Sequence, residues 1–254
     1  MAVDRSTWRK VVDEAFTNTY PCPRCTKGRI RRGDNPVIIL EPAHSRRDHD
    51  VEEWEPDWVR QSFTAMLVCD NTKCGEVVAI SGRSGVDHYY SNSYDGSGDD
   101  GWNTWLRPVS MHPAPPLFPI SKNIPKTVEV ELKLAFQLFW ADLSASTSRL
   151  RTSLERVLDE QGIPSFGQLK TGKPKRLTLF DRIDSFEKKT QDAEIAESMT
   201  AMRIVGNLGT HGDEVVEGDY FDLLDVYEDA LAEIYEKKSA NLKAKKAALI
   251  ALKP

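Results

Sequence analysis

The stretch MTAMRIVGNLGTHG, residues 199–212, has the periodicity of a helix. Yet it carries Gly206 and Gly209, each about 1 kcal/mol less favourable than alanine inside a helix. At about 100° per residue, Arg203, Asn207 and His211 fall near 0°, 40° and 80° and form one polar column two turns tall. Ile195, Met199 and Met202 share the apolar face with both glycines. A missing Cβ there lets a neighbouring helix approach closely on the core side. Gly212 then suits a helix C-terminus, and Asp192 suits the N-terminus.

Working outward, the second half of the chain reads as helices. Residues 127–140 are apolar nearly all round, as in a buried helix. Asp142 or Ser144 caps a following helix whose face is Leu150, Leu154, Val157 and Leu158 and which Gly162 stops. The basic loop KTGKPKR leads to a short helix near 178–188. Asp219 caps a last helix bearing Phe221, Leu224, Tyr227, Leu231 and Ile234, and a lysine-rich tail follows. On this pattern Glu155, one turn beyond Arg151, is an acid that can pair with Arg203.

Before the Pro-rich segment HPAPPLFPISKNIP, residues 112–125, the pattern differs. A regular helix or central strand does not tolerate that segment, so it marks a boundary between domains 1–113 and 114–254. Residues 5–18 space Trp8, Val11, Val12 and Phe16 as a short amphipathic helix. Residues 29–40 read as a basic strand, 41–60 as loop, FTAMLVC and EVVAIS as strands, and 81–107 as Gly/Ser/Asp-rich loops. His44 and His49 fall in a solvated loop, and DGSGDD, residues 95–100, is a turn without the ligand spacing of a calcium loop.

The cysteines form two close pairs, Cys22/Cys25 in CPRC and Cys69/Cys74 in CDNTKCG. Two such turns can supply four thiolates to one tetrahedral ion. A redox CxxC site would need a βαβ context that is missing here. The expectation is a structural zinc ion (Zn2+) stapling a zinc-ribbon-like module with little core of its own, with Gly75 helping to aim backbone amides at the sulfurs. The fold class expected is α+β: a small zinc-ribbon β module followed by an antiparallel α-helical bundle.

Composition narrows the partners. The chain has 254 residues, 40% hydrophobic and 29% charged, with a net charge of −5. Neither half is strongly basic, so a broad nucleic-acid surface gets no support from total charge. The charged N-terminus lacks the apolar region of a signal peptide. No apolar run reaches the roughly 18 residues needed to span a bilayer. The chain therefore reads as cytoplasmic, with no membrane partner.

Residues 114–237 resemble the family known as domain of unknown function 4145. The resemblance rests on PPLFPISKNIP, LRTSLERVLDEQG, LFDRI and MRIVGNLGTHG in that order. That family is similar in design to the HEPN helical bundles, many of them metal-independent ribonucleases whose Arg–polar–His element works across a dimer interface. The resemblance implies a homodimer through the C-terminal domain, with Arg203, Asn207 and His211 as catalytic residues acting on RNA. It also implies a setting such as toxin or anti-phage defence. Seven residues separate Arg203 from His211, a wider spacing than the HEPN pattern usually shows. The alternative is therefore a non-catalytic zinc-ribbon and helical-bundle module for dimerisation and for binding a protein partner.

Overall fold

The structure is a computed structural model that describes residues 3–13, 15–92, 98–168, 171–211 and 215–252. For residues 91–92, 98–99 and 208–211 it describes the backbone only. The fold is α+β and divides into two compact units. One comprises residues 4–117; the other comprises residues 1–3 together with 118–254.

The first unit is an antiparallel sheet. Its strands are β1 (Val12–Asp13), β2 (Tyr20–Pro21), β3 (Arg29–Arg31), β4 (Val37–Leu40), β5 (Gln61–Cys69), β6 (Val77–Asn92) and β7 (Gly98–His112). The order is β1-β7-β6-β5-β3-β2, with β4 also pairing β5. Strand β5 alternates strictly: Phe63, Ala65, Leu67 and Cys69 point inward, as period two requires of a sheet with one buried face. They meet Trp8, Tyr20, Ile30, Val78, Ile80, Leu106 and Met111, all buried. This core corrects the expectation of a module with little core of its own.

The long β6–β7 hairpin replaces the loops expected over 81–107. Glycine normally weakens a strand, but here Gly85 lies directly opposite Trp105 and Gly101 opposite Tyr89. A Cβ on Gly85 would come within 2.6 Å of the Trp105 ring. Each ring covers the space its glycine leaves, so cross-strand packing overrides poor local propensity. The register shifts beside Gly82, where Val109 bulges out of the ladder next to Pro108. Proline lacks a donor and is tolerated at such a break. Of DGSGDD, Gly98–Asp100 belongs to β7 and residues 95–97 lie outside the described residues.

Residues 5–18 do not form the expected helix. Arg5–Trp8 is a single 3-10 turn capped by Asp4, and Val12–Asp13 pairs with Trp105–Leu106. A spacing of four buries Trp8, Val12 and Phe16 in either conformation, and the sheet edge decides in favour of the strand. The strand expected over 29–40 is broken between β3 and β4, where Gly33 takes φ +58°. Within 41–60, α1 (Ala43–Asp48) is helical.

The second unit contains α2 (Lys126–Leu138), α3 (Leu143–Glu160), the hairpin β8 (Phe166–Gln168) and β9 (Pro174–Arg176), α4 (Leu179–Thr190), α5 (Ala193–His211), α6 (Glu217–Glu236) and α7 (Lys238–Ala251). Caps explain several boundaries. The Asp142 carboxylate accepts from Ala145 N–H at 3.0 Å, and Asp192 accepts from Ile195 N–H at 3.1 Å. Thr178 and Asp181 form a reciprocal capping box on α4, satisfying two donors that a helix start leaves open. Gly162 takes φ +69° and ends α3. The last-helix expectation needs correction: α6 starts at Glu217, and Asp219 sits inside its first turn, where a carboxylate favours the helix dipole. Helix α2 is not buried all round, since Val130 and Leu134 face out.

Helix α3 packs against α2 and α5, and α5 against α4 and α6. Two buried hydroxyl pairs join α3 to α6: Ser146 with Tyr220 at 2.6 Å and Ser153 with Tyr227 at 2.7 Å. Each serine donates to a helix carbonyl, of Ala135 or of Leu150, so each tyrosine donates to its serine. Burial pushes both phenols above the usual tyrosine range. Arg182, 4% exposed, is held by Asp159 at 2.6 Å and by the Ile163 carbonyl at 2.9 Å. Val3 is buried in this unit, its N–H donating to the Asp225 carboxylate. No described helix is long and apolar enough to cross a membrane.

Candidate functional site

The two cysteine turns meet at one end of β5. Strand β3 runs antiparallel to β5 with Ile30 opposite Cys69, which brings the CPRC turn beside CDNTKC although the pairs are far apart in sequence. The sulfurs of Cys22, Cys25, Cys69 and Cys74 all lie within 4.8 Å of one another and could hold a metal ion. Cys22 to Cys74 and Cys25 to Cys69 are each 3.8 Å, far beyond the roughly 2.05 Å of a disulfide.

Groups that the spacing of cysteines does not reveal support the cluster. Gly28 N–H donates to Cys25 Sγ at 3.3 Å, and this lowers the Cys25 thiol to about 6. Burial raises Cys69 to about 12. A Cβ on Gly28 would lie 2.5 Å from Cys69 Sγ, so only glycine fits beneath that sulfur. Gly75 sits in the second turn as expected: its φ of +59° closes that turn, its own N–H bonds the Asn71 carbonyl at 3.0 Å, and the backbone of Glu76 and of Asn71 hydrogen-bonds Cys74 and Cys69.

Helix α5 is continuous from Ala193 to His211, so Arg203, Asn207 and His211 share one helix at the spacing of successive turns. The His211 side chain lies outside the described residues, as do Gly212 and the side of α5 at Gly209. Asn207 is half-buried. Arg203 lies over the Phe180 ring, 5.5 Å from its centroid. The Arg203 Nε is buried without a hydrogen-bond partner among the described residues, and so is the Arg151 Nε on α3. A Cβ on Gly206 would stand 3.0 Å from Arg151 Cβ, so the Arg151 stem lies across the glycine. The close approach expected at Gly206 is therefore to α3. Glu155 is not the partner of Arg203; its carboxylate faces Arg176 at 4.0 Å. No described acid pairs with either Arg151 or Arg203.

An open hollow of about 680 Å³ on the sheet unit is lined by Glu55, Asp57, Asp87, His88 and Trp102. Asp87 accepts from Trp105 Nε1 at 3.0 Å, and His88 pairs with Asp100. Its carboxylates make it hostile to phosphate.

The arrangement is a sheet unit with a four-cysteine cluster that could hold a metal ion, followed by a helical unit in which no described acid pairs with Arg151 or Arg203. Residues 133–251 match the family described as a domain of unknown function (DUF4145). Residues 10–110 match a second family, described as a domain of unknown function (DUF8608). No curated protein and no solved structure matches the chain.

Proposed function

We propose that the chain is a zinc-stapled, HEPN-like RNA-directed protein whose site is built on α5. The observation that carries this reading is Arg151 on α3 and Arg203 on α5, two packed helices, both half-buried with no described acid to neutralise them. Two half-buried arginines without a carboxylate favour an anion with several acceptor oxygens, and a phosphodiester supplies them.

The cysteine cluster supports zinc. A tetrahedral ion with zinc–sulfur bonds of about 2.3 Å has edges of about 3.8 Å, the separation of Cys22 from Cys74 and of Cys25 from Cys69. Bound zinc cross-links the two turns and takes no part in catalysis. The cluster with its two turns then forms a zinc-ribbon-like knuckle on a larger sheet. Replacing Cys22 and Cys69 together should abolish zinc content; full stoichiometry in that variant would remove the assignment.

In the RNA reading, His211 takes the proton of a ribose 2′-hydroxyl, whose oxygen attacks phosphorus. The bond to the 5′-oxygen breaks, and that oxygen takes a proton from the His211 imidazolium of a facing second copy. Products are a 2′,3′-cyclic phosphate and a 5′-hydroxyl. Arg203 holds the phosphate through its planar fork, and Asn207 orients His211 or the phosphate. A homodimer through the helical unit completes the cleft, and defence by RNA damage is the corresponding biological setting, in the cytoplasm. The test is purified protein with total RNA in EDTA, followed by end-group analysis. Cleavage lost in His211→Ala and Arg203→Ala, with folding retained, supports the reading. Wild type as inert as both variants refutes it.

One observation favours a non-catalytic interaction module: Arg203 already stacks on Phe180, a contact worth about 0.5–2 kcal/mol to the fold alone. In that case Arg203→Ala lowers stability and changes no activity.

A further inference from the structure

We infer that the β8–β9 hairpin is a grip for single-stranded RNA, in which Phe166 stacks on a base while Lys173, Lys175 and Arg176 hold phosphates. This rests on the RNA reading above and adds to it the surface that leads the strand to the arginines of α3 and α5.

Residues 161–180, QGIPSFGQLKTGKPKRLTLF, contain four basic residues and no acid, in a chain whose net charge is −5. Such a chain repels RNA as a whole, so an RNA site has to be local. Lys173, Lys175 and Arg176 are all exposed. Neither lysine makes an ion pair among the described residues. Arg176, with its side chain 77% exposed, meets only Glu155, at 4.0 Å, the outer limit of an ion pair. Asp181, which feels the charge of Lys175, already accepts from the Thr178 hydroxyl at 2.7 Å and from the Thr178 N–H at 3.0 Å. The cations of the hairpin are therefore open to an incoming anion.

Two rings supply the other half of the recognition. Phe166 is 60% exposed and Phe180 59% exposed, uncommon for a residue type that is usually inside. Phe166 stands directly opposite Arg176 across the hairpin, so ring and guanidinium share one face. An aromatic face takes any unstacked base, and adjacent cations follow the backbone. In a duplex the bases stack on one another and are closed to such a ring, which favours a single strand. The hairpin is held ready for this. Leu177 N–H donates to the Ser165 carbonyl at 3.0 Å, and a Cβ on Gly167 would stand 3.0 Å from Leu177 Cδ2. Leu177 thus packs on the face opposite Phe166 and leaves that ring outward. Two contacts join the hairpin to the proposed site. Arg176 meets Glu155, one turn beyond Arg151 on α3. Phe180, four residues after Arg176, lies beneath Arg203 of α5. A strand lying on Phe166 and Arg176 is therefore led toward both arginines.

The experiment is fluorescence anisotropy of the full chain with a labelled oligouridylate of about 15 nucleotides, with circular dichroism to verify folding. Its riboses are 2′-O-methylated, so no 2′-hydroxyl attacks and binding is read apart from cleavage. Lys173→Ala/Lys175→Ala/Arg176→Ala should bind at least about tenfold more weakly, and the slope of log K against log salt should shrink by about 2. Phe166→Ala and Phe166→Leu should each lose about tenfold, and Phe166→Trp should restore binding, since a merely structural apolar contact accepts leucine and a stacking platform does not. Wild type should prefer the single strand to a duplex of the same length. Hairpin variants that bind like wild type overturn this inference and leave the reading of the α5 site standing. A wild type that does not bind the oligonucleotide, or binds the duplex equally well, also overturns it, and the cleavage test above then decides the α5 reading by itself. Loss of retention on phosphatidylserine vesicles in the triple variant, with RNA binding unchanged, would assign the hairpin to a membrane surface and remove it from RNA.

Discussion

Replacing Gly28 by alanine tests the cysteine cluster without touching a ligand. A Cβ at Gly28 would stand 2.5 Å from Cys69 Sγ and 2.9 Å from both Asn71 Cβ and Asp70 Oδ1. Non-bonded heavy atoms settle near about 3.5–4.0 Å, so the sulfur or its turn must move by about 1 Å. A bound metal tolerates ligand errors of about 0.2 Å, and the displaced turn also carries the Gly28 N–H that steadies Cys25. Disturbing such an outer group typically weakens metal affinity about 10–100-fold, which is ~1.4–2.8 kcal/mol. Metal-binding energy is folding energy here. The zinc-loaded melting temperature of the sheet unit should therefore fall by roughly 5–15 °C. Competition with a chromophoric chelator gives the affinity, and calorimetry gives the melting temperature. Gly33→Ala is the control: at φ +58° with nothing within 4 Å, it should incur backbone strain of about 1–2 kcal/mol and leave zinc affinity unchanged. If Gly28→Ala binds zinc as tightly as wild type, the sulfurs are not held where this geometry puts them.

Other outcomes follow from the same contacts. Ser153→Ala leaves the buried Tyr227 hydroxyl without its acceptor, whereas Tyr227→Phe leaves Ser153 still bonded to Leu150. Ser153→Ala should cost about 1–3 kcal/mol and Tyr227→Phe less, with a double mutant below their sum, measured by urea unfolding. Asp159→Ala should destabilise by about 2 kcal/mol because it strands the buried Arg182, and Arg182→Met should cost less; equal losses would contradict this. Gly206→Leu should cost about 1–3 kcal/mol by driving Arg151 off α5, and an unchanged melting temperature would mean α3 yields freely. Chelation should lower the melting temperature of the sheet unit but leave its strand signal in circular dichroism, since Trp8, Tyr20, Leu67, Ile80, Leu106 and Met111 bury a core larger than the two cysteine turns. Collapse of that signal would show the staple to be essential.

The cysteine cluster was legible because each pair is local: short turns put sulfurs together whatever lies between them. Gly28 was not, because its role depends on β3 lying against β5 and no local rule marks a glycine that must pass beneath a distant sulfur. Asp142 and Asp192 could be read as caps because capping is a contact over three residues. Asp219 was misassigned by one turn, since a carboxylate is equally welcome at a cap and in the first turn. The β6–β7 hairpin was missed for a tertiary reason. Gly85 and Gly101 read as loop residues until Trp105 and Tyr89 are known to stand opposite them. On α5 the spacing of Arg203, Asn207 and His211 follows from the helix. The neighbour of Arg203 did not: Glu155 was the nearest acid by pattern, but Phe180 occupies that side and Arg151 adds a second charge.

The short anchor at Val3 has a mechanical consequence. Because Val3 belongs to the helical unit and bonds Asp225 on α6, 222 positions away, the whole sheet unit is spliced between two parts of its neighbour. Tension applied between the two chain ends enters at Val3 and at α7 and passes through α6. Under load the helical unit, which holds both points of attachment, should yield first, at the clasp between Val3 and Asp225.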